Sequence, residues 1–306
     1  MLNNAWPSNT WHLYDTRLAA GGAFYGARTA CAPALAIQRH GTSGSIFAVN
    51  SRYVPFSRIR ASAEVWTLGG RLIRVANATL PRIAPDSVAR MLTAVPVLHA
   101  EPALLRLRIA ADLAGYTDET SIEVTDINDV NDANDATAEE ATHRNDYILP
   151  PTPDAINFTA GCGNGGCADV TFADMTSVAH LPFVQLVHSL TIDSRSACGA
   201  HNGVGSGARS GAPMSACATV VVGSPADAHA VVLGVHLRLL ATDARTLRTS
   251  DVLPVLWDDD YFALVPGESR TIRGTFTGAD HREPTEAPML VVESLNAALK
   301  LNRALV

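Results

Sequence analysis

The sequence predicts a mostly β fold of two β-sandwiches behind a short helical segment, and three observations predict it. Arg58–Trp66 and Ala103–Ala111 alternate apolar and polar residues with period two, the pattern of strands with one face in a core. Between Phe183 and Ser294 seven short apolar runs recur, divided by Gly, Pro and polar segments, as in a sandwich. The chain has 306 residues, 47% of them hydrophobic and 17% charged, enough for two cores of ordinary size.

Met1 to Ile37 reads as a loop or strand end followed by a short helix. Phe24, Ala27, Ala30 and Cys31 recur at intervals of three and four, placing an apolar stripe on one helical face, and Pro33 blocks continuation. From 38 to 150 the period changes to two. Ile59, Ala61, Ala63 and Val65 alternate with Arg58, Arg60, Ser62 and Glu64, while Leu105, Leu107 and Ile109 face one way and Arg106 and Arg108 the other. Ser45–Asn50, Arg71–Ala76 and Ser87–Val95 supply shorter strands of the same sandwich. Near 126–143 an Asn-Asp pair recurs every three residues, at 128, 131 and 134. It reads as a solvated, disordered insertion; a calcium loop would need a turning glycine, and the segment has none.

Residues 151–180, rich in Pro, Gly and Asn, read as a linker with a glycine-rich loop. The second sandwich is expected over 181–300. Its candidate strands are FVQLVHSLTI, CATVVVG, AVVLGVHLRLL, VLPVL, YFALV, RTIRGTF and PMLVVES, the strand number of a constant-type immunoglobulin sandwich. Pro266–Gly267 is a turn by its chemistry, since Pro fixes the first central φ and Gly accepts a positive one.

The net charge of −7, with Lys300 the single lysine and no Arg-rich run, argues against nucleic acid and anionic membrane as partners. Neither a signal-peptide pattern nor an apolar stretch of about 18 residues is present. Cys31, Cys162, Cys167, Cys198 and Cys217 are too few for a disulfide framework in a chain of this size. Cys162 and Cys167 flank a GNGG loop that a disulfide could close. A zinc site from Cys162, Cys167, Cys198 and His201 has the wrong spacings for a ribbon or finger, so no metal is expected. No cofactor is expected either. His12, His99, His188 and His236 read as surface or satisfied core residues. Asp258, Asp259 and Asp260, beside Trp257 and Tyr261, invite a catalytic reading, but adjacent acids on a loop between strands diverge. Asn77-Ala78-Thr79 and Asn157-Phe158-Thr159 are sequons of a kind that arises by chance.

Two segments resemble one family. Met1–Gln38, MLNNAWPSNTWHLYDTRLAAGGAFYGARTACAPALAIQ, is similar to a passage in which LNxxWP, W-x-L-Y/F-D and GGAYYGxKKAxEPxxIQ follow in that order. Asp251–Phe276, DVLPVLWDDDYFALVPGESRTIRGTF, is similar to a stretch with LPV, D-N/D-Y and LxPGE. The family is glycoside hydrolase family 2, in its branch of β-mannosidases, exo-β-glucosaminidases and mannosylglycoprotein endo-β-mannosidases. HRNDYILP at 143–150 resembles the strand that closes the domain before the last.

The resemblance implies two immunoglobulin-like sandwiches preceded by the last strand end and helix of a truncated (β/α)8 barrel, with 1–37 as the barrel remnant. It places Asn4 and Trp6 at the end of barrel strand eight, where an aromatic face lines a sugar subsite. Trp11, Tyr14 and Asp15 are packing and hydrogen-bonding residues on this view. The family needs two carboxylates about 5 Å apart, held upstream of LNxxWP. The chain is therefore expected to be the C-terminal part of a larger retaining glycosidase acting on β-mannoside or β-glucosaminide linkages, inactive alone, with no catalytic residue of its own and a carbohydrate or glycan as the substrate of the full enzyme. The family and the sequons favour a secreted or lysosomal-type compartment. A non-catalytic carbohydrate-binding or adhesion module and an inactive relic are the rival readings. Cys31-Ala32-Pro33-Ala34 departs from the family, where an acid usually precedes the proline.

Overall fold

The computed structural model describes residues 13–41, 43–93, 95, 101–113, 140–157, 169–193, 215–242, 248–277 and 288–296. Asn4, Trp6, Trp11, the Asn-Asp repeat, the GNGG loop and the cysteines at 162, 167 and 198 lie outside them.

Helix α1 spans Gly22–Ala30, with Arg28 in its last turn, where a cation complements the helix dipole. Its buried face differs from the expected stripe. Tyr25 is 4% exposed and joins the core of the second sandwich with Phe24, whereas Ala27, Ala30 and Cys31 are exposed. Two aromatic rings remove far more apolar surface from water than three small side chains, so they set the docking face.

The first sandwich pairs two antiparallel sheets. Strands β1 (Leu35–Arg39), β2 (Ile46–Asn50) and β5 (Ser87–Leu92) form one, in the order β1-β2-β5. Strands β3 (Phe56–Thr67), β4 (Leu72–Ile83), β6 (Ala103–Leu113) and β7 (Glu140–Leu149) form the other, in the order β4-β3-β6-β7. Strand β1 begins at Leu35, inside the segment assigned from sequence to the barrel remnant. The alternation in β3 and β6 places Ile59, Ala63, Val65, Leu105, Leu107 and Ile109 in the core with Ile37 and Ile46. Side chains of β7 satisfy the open edge of β1: His143 Nδ1 accepts from the Ile37 amide at 3.1 Å, and the Tyr147 hydroxyl accepts from the Arg39 amide at 3.0 Å.

A two-stranded ribbon of β8 (Ala155–Asn157) and β9 (Asp169–Thr171) and a 3-10 turn at Thr176–His180 lead to the second sandwich. One of its sheets runs β10 (Val187–Asp193), β11 (Ser215–Gly223), β16 (Ser269–Thr277), β14 (Val255–Trp257). The other is built around β12 (Val232–Thr242), which pairs with β13 (Thr249–Asp251), β15 (Phe262–Leu264) and β17 (Met289–Glu293). Each of the seven apolar runs holds a strand, and among the described residues the short β13 is an eighth. Trp257 faces Gly274 across the β14–β16 pair, and a Cβ on Gly274 would lie 2.6 Å from Trp257 Cζ3, so the indole occupies the place of a side chain.

A third apolar cluster joins the sandwiches: Leu68 and Leu104 of the first pack with Leu181, Val231, Leu233, Ala263 and Val265 of the second. The Val231 amide donates to the Leu68 carbonyl at 3.0 Å. Gly70, at φ +78°, leaves room for this approach, because a Cβ there would lie 2.9 Å from Pro266 Cγ.

Candidate functional site

The polar residues of interest gather where α1 and the two sandwiches meet, around a cleft of about 800 Å³. The first group is an ion cluster on the outward face of β6 and β7, whose Arg144 and Asp146 line the cleft. Register puts Arg106 opposite Asp146 and Arg108 opposite Arg144. Onto this ladder the Pro266–Gly267 turn lowers Glu268. Arg106, 0% exposed, donates to both Asp146 oxygens at 3.0 Å, to Glu268 Oε2 at 2.5 Å and to the Ala263 carbonyl at 3.1 Å. Arg144 donates to Glu268 Oε1 at 2.7 Å, to Asp146 Oδ2 at 2.6 Å and to the same carbonyl at 2.5 Å. Arg108 adds a 3.3 Å contact to Glu268 and is bound more closely to Glu64, at 2.8 Å. Burial would raise both carboxyls, but Arg144 and Arg106 outweigh it and hold Asp146 and Glu268 below the usual carboxylate range. Desolvating these charges is costly, and only this degree of pairing offsets it. Glu268 Oε2 also accepts from the Val265 amide at 3.0 Å, which shapes its own turn.

The second group is the acidic loop after β14. Asp258 Oδ1 accepts from the Arg273 amide at 2.9 Å, and burial pushes its carboxyl up to about 6. Asp259 accepts from Arg270 at 2.6 Å, and that guanidinium lies 4.5 Å over the Phe262 ring. Asp260, 3% exposed, accepts from the Leu237 amide at 2.9 Å and meets His236 Nδ1 at 2.8 Å. Burial raises its carboxyl, with His236 opposing. Tyr261 follows at φ +56°, a conformation that an L-residue holds only when its surroundings insist. They do: His236 stacks on its ring at 4.3 Å, and Gly22 of α1 lies so close that a Cβ there would be 3.4 Å from the ring.

The third group is α1 itself. Arg28 Nη1 donates to the Trp257 carbonyl at 2.9 Å, and His143 Nε2 lies 2.9 Å from the Thr29 carbonyl. The three carboxylates of the loop are thus spent on local structure. None is left as a free acid facing a second free carboxylate, so the arrangement supports a joint between domains rather than general acid and base chemistry. Among the described residues no group of three or more His, Cys, Asp or Glu side chains could hold a metal ion.

Of the residues singled out from sequence, Asn4 and Trp6 are not brought to this site, because they lie outside the described residues. Tyr14 packs on Phe24 with ring centroids 5.0 Å apart, and Asp15 accepts from the amides of Arg17 and Ala19 at 2.8 and 2.9 Å. Both therefore have the packing and hydrogen-bonding places expected of them. His236 is satisfied by Asp260. Cys31 is a free, exposed thiol, and Cys217 is disulfide-bonded. Sequence reasoning missed Arg106, Arg144, Asp146 and Glu268 as a unit. The available signal was Arg106 and Arg108 at alternate positions facing away from a core, with Arg144 and Asp146 two apart on a later strand.

Residues 170–297 match the family model described as the exo-β-D-glucosaminidase Ig-fold domain. Over 305 residues the chain is 26% identical to an exo-β-D-glucosaminidase of Streptomyces avermitilis, an alignment that covers 97% of this chain and 28% of that protein. An exo-β-D-glucosaminidase of Amycolatopsis orientalis is 27% identical over 285 residues, 92% of this chain and 23% of its own. The chain thus spans about a quarter of the length of these curated relatives. The crystal structure of the exo-chitosanase CsxA of Amycolatopsis orientalis superposes with a TM-score of 0.69 at 21% identity, over 97% of this chain and 29% of that one, which shows a shared fold. Residues 170–297 thus match the exo-β-D-glucosaminidase Ig-fold domain, and the chain is similar along most of its length to proteins named exo-β-D-glucosaminidase, in line with the resemblance read from both ends of the sequence.

Proposed function

We propose that the chain is the C-terminal accessory region of a retaining glycoside hydrolase acting on β-glucosaminide linkages, and that it lacks the catalytic carboxylates. The observation that supports this most is collinear homology over 97% of the chain to a protein of which it spans only 28%. The joint agrees with it. Two sandwiches and α1, locked by buried ion pairs and shared apolar cores, make a rigid support for whatever α1 and the residues before it contact. In this reading Asn4 and Trp6 line the sugar subsite of the intact enzyme, with Trp6 offering its apolar face to the ring.

Hydrolysis of nitrophenyl β-D-glucosaminide tests it. The 306-residue chain alone should show none above buffer, and measurable turnover would end the accessory reading. In an intact enzyme, Trp6→Ala should lower kcat/KM by about 1–3 kcal/mol of transition-state stabilisation, with the melting temperature unchanged. A variant that melts early yet turns over normally while folded would remove Trp6 from the subsite.

A further inference from the structure

We propose that His143 is an acid-released latch: its neutral imidazole ties the last turn of α1 and β7 to the edge of β1, and protonation breaks the bond to β1. The argument rests on which atoms can donate. The Ile37 amide, 3.1 Å from Nδ1, can only donate, so Nδ1 must present its lone pair. The Thr29 carbonyl, 2.9 Å from Nε2, can only accept, so Nε2 must carry the hydrogen. The two contacts together select one neutral tautomer. A second proton has no place to go except Nδ1, where it would point at the Ile37 N–H, breaking one bond and setting two donors against each other.

The surroundings favour the neutral form as well. Burial pulls the imidazole below its ordinary value, against the Thr29 carbonyl and Asp259, which oppose. The ionisable side chains on the elements around it are Tyr25 and Arg28 on α1, Arg39 on β1, Arg106, Arg108 and Asp112 on β6, Glu140, Arg144, Asp146 and Tyr147 on β7 itself, and Asp258, Asp259, Asp260 and Tyr261 on the acidic loop. Asp259 is the carboxylate that pulls toward the imidazolium, and it is bound to Arg270. On β6 the register partner of His143 is the apolar Ile109. Among the described residues no carboxylate is paired with the ring. The sign follows. A histidine whose folded value lies below its unfolded one contributes stability that is full above about 6.5 and is lost as pH falls through the folded value. Release is confined to the β1 edge, because the charged ring still donates from Nε2 to the Thr29 carbonyl, Tyr25 stays in the second core and Arg28 stays on the Trp257 carbonyl.

Amide hydrogen exchange by NMR on the 306-residue chain, expressed as protection factors so that intrinsic pH dependence is removed, tests the latch. Between pH 7.5 and 5 the Ile37 amide should lose at least tenfold in protection while Ala48, opposite it on β2, keeps its own. In the same samples the imidazole 15N shifts of His143 should report the Nε2–H tautomer at pH 7.5. His143→Gln, which keeps an acceptor and a donor but cannot titrate, should show no such step. Three results would overturn the proposal: an Nδ1–H or charged ring at pH 7.5, unchanged Ile37 protection on acidification, or a step that survives in the glutamine variant. The first two need only the wild-type chain.

Discussion

Glu268→Ala tests the joint most directly. In the folded protein the buried Arg106 guanidinium and the half-buried one of Arg144 share two carboxylates, Asp146 and Glu268. The substitution leaves two cations on one anion, with Arg106 still 0% exposed and unable to reach water for compensation. Removing one partner of a buried pair costs about 3–5 kcal/mol, against about 0–1 kcal/mol for an exposed pair. Both guanidiniums keep Asp146 and the Ala263 carbonyl, so the loss should sit near the lower bound, at about 3 kcal/mol. Glu140→Ala, which removes the partner of the half-exposed Arg60, is the control and should lose less than about 1 kcal/mol. Urea denaturation at pH 7.5, followed by circular dichroism and tryptophan emission, reads both. Because Glu268 has a lowered folded value, its contribution is full above about 4.5 and fades as pH falls through that folded value, so the gap between variant and wild type should close in acid. A Glu268→Ala loss no larger than that of Glu140→Ala would refute the view that this cluster joins the sandwiches.

Two further outcomes follow from particular atoms. Gly274→Ala places a methyl against the Trp257 ring and should destabilise by about 1–3 kcal/mol with a shifted near-ultraviolet signal from the indole; a melt equal to wild type would mean that the ring moves aside freely. Asp258→Asn should stabilise by about 1–2 kcal/mol at pH 7.5, since burial penalises the charged carboxyl there, and the asparagine oxygen still accepts from the Arg273 amide. With a folded value raised to about 6, that advantage should shrink as pH falls through 6 and vanish below the unfolded value of 3.8; a gain independent of pH would remove its electrostatic basis.

The strands were legible because their cause is local. Alternation in β3, β6 and β12 encodes one buried face per strand, and the structure puts Ile59, Leu107 and Leu237 on it. The helix was legible in extent and not in orientation. The spacing of Phe24, Ala27 and Cys31 fits one face, yet the choice of face depends on what the rings of Phe24 and Tyr25 can reach, and that is a groove of the second sandwich assembled from residues more than a hundred positions away. The acidic loop was legible as structural: three adjacent acids diverge, and each finds a different partner, the Arg273 amide, Arg270 and His236.

The joint was illegible for a related reason. Glu268 stood in view within LxPGE, and Pro-Gly explains the turn, but nothing local explains the glutamate. Its partner Arg106 is 162 positions away and reads from sequence as the polar half of an alternating strand. Period two says only that Arg106 leaves its own core. It does not say whether solvent or a second domain lies on the other side. That distinction appears when β6 and β7 align Arg106 with Asp146 and the turn supplies the second carboxylate, so that a face written as charged becomes a buried interface. A charged pair on alternate positions, matched by an Arg-x-Asp on the neighbouring strand and a glutamate held by a tight turn in the next domain, is thus an interface signature rather than a solvent one. The physical requirement behind it is that fully desolvated guanidiniums must each find a carboxylate.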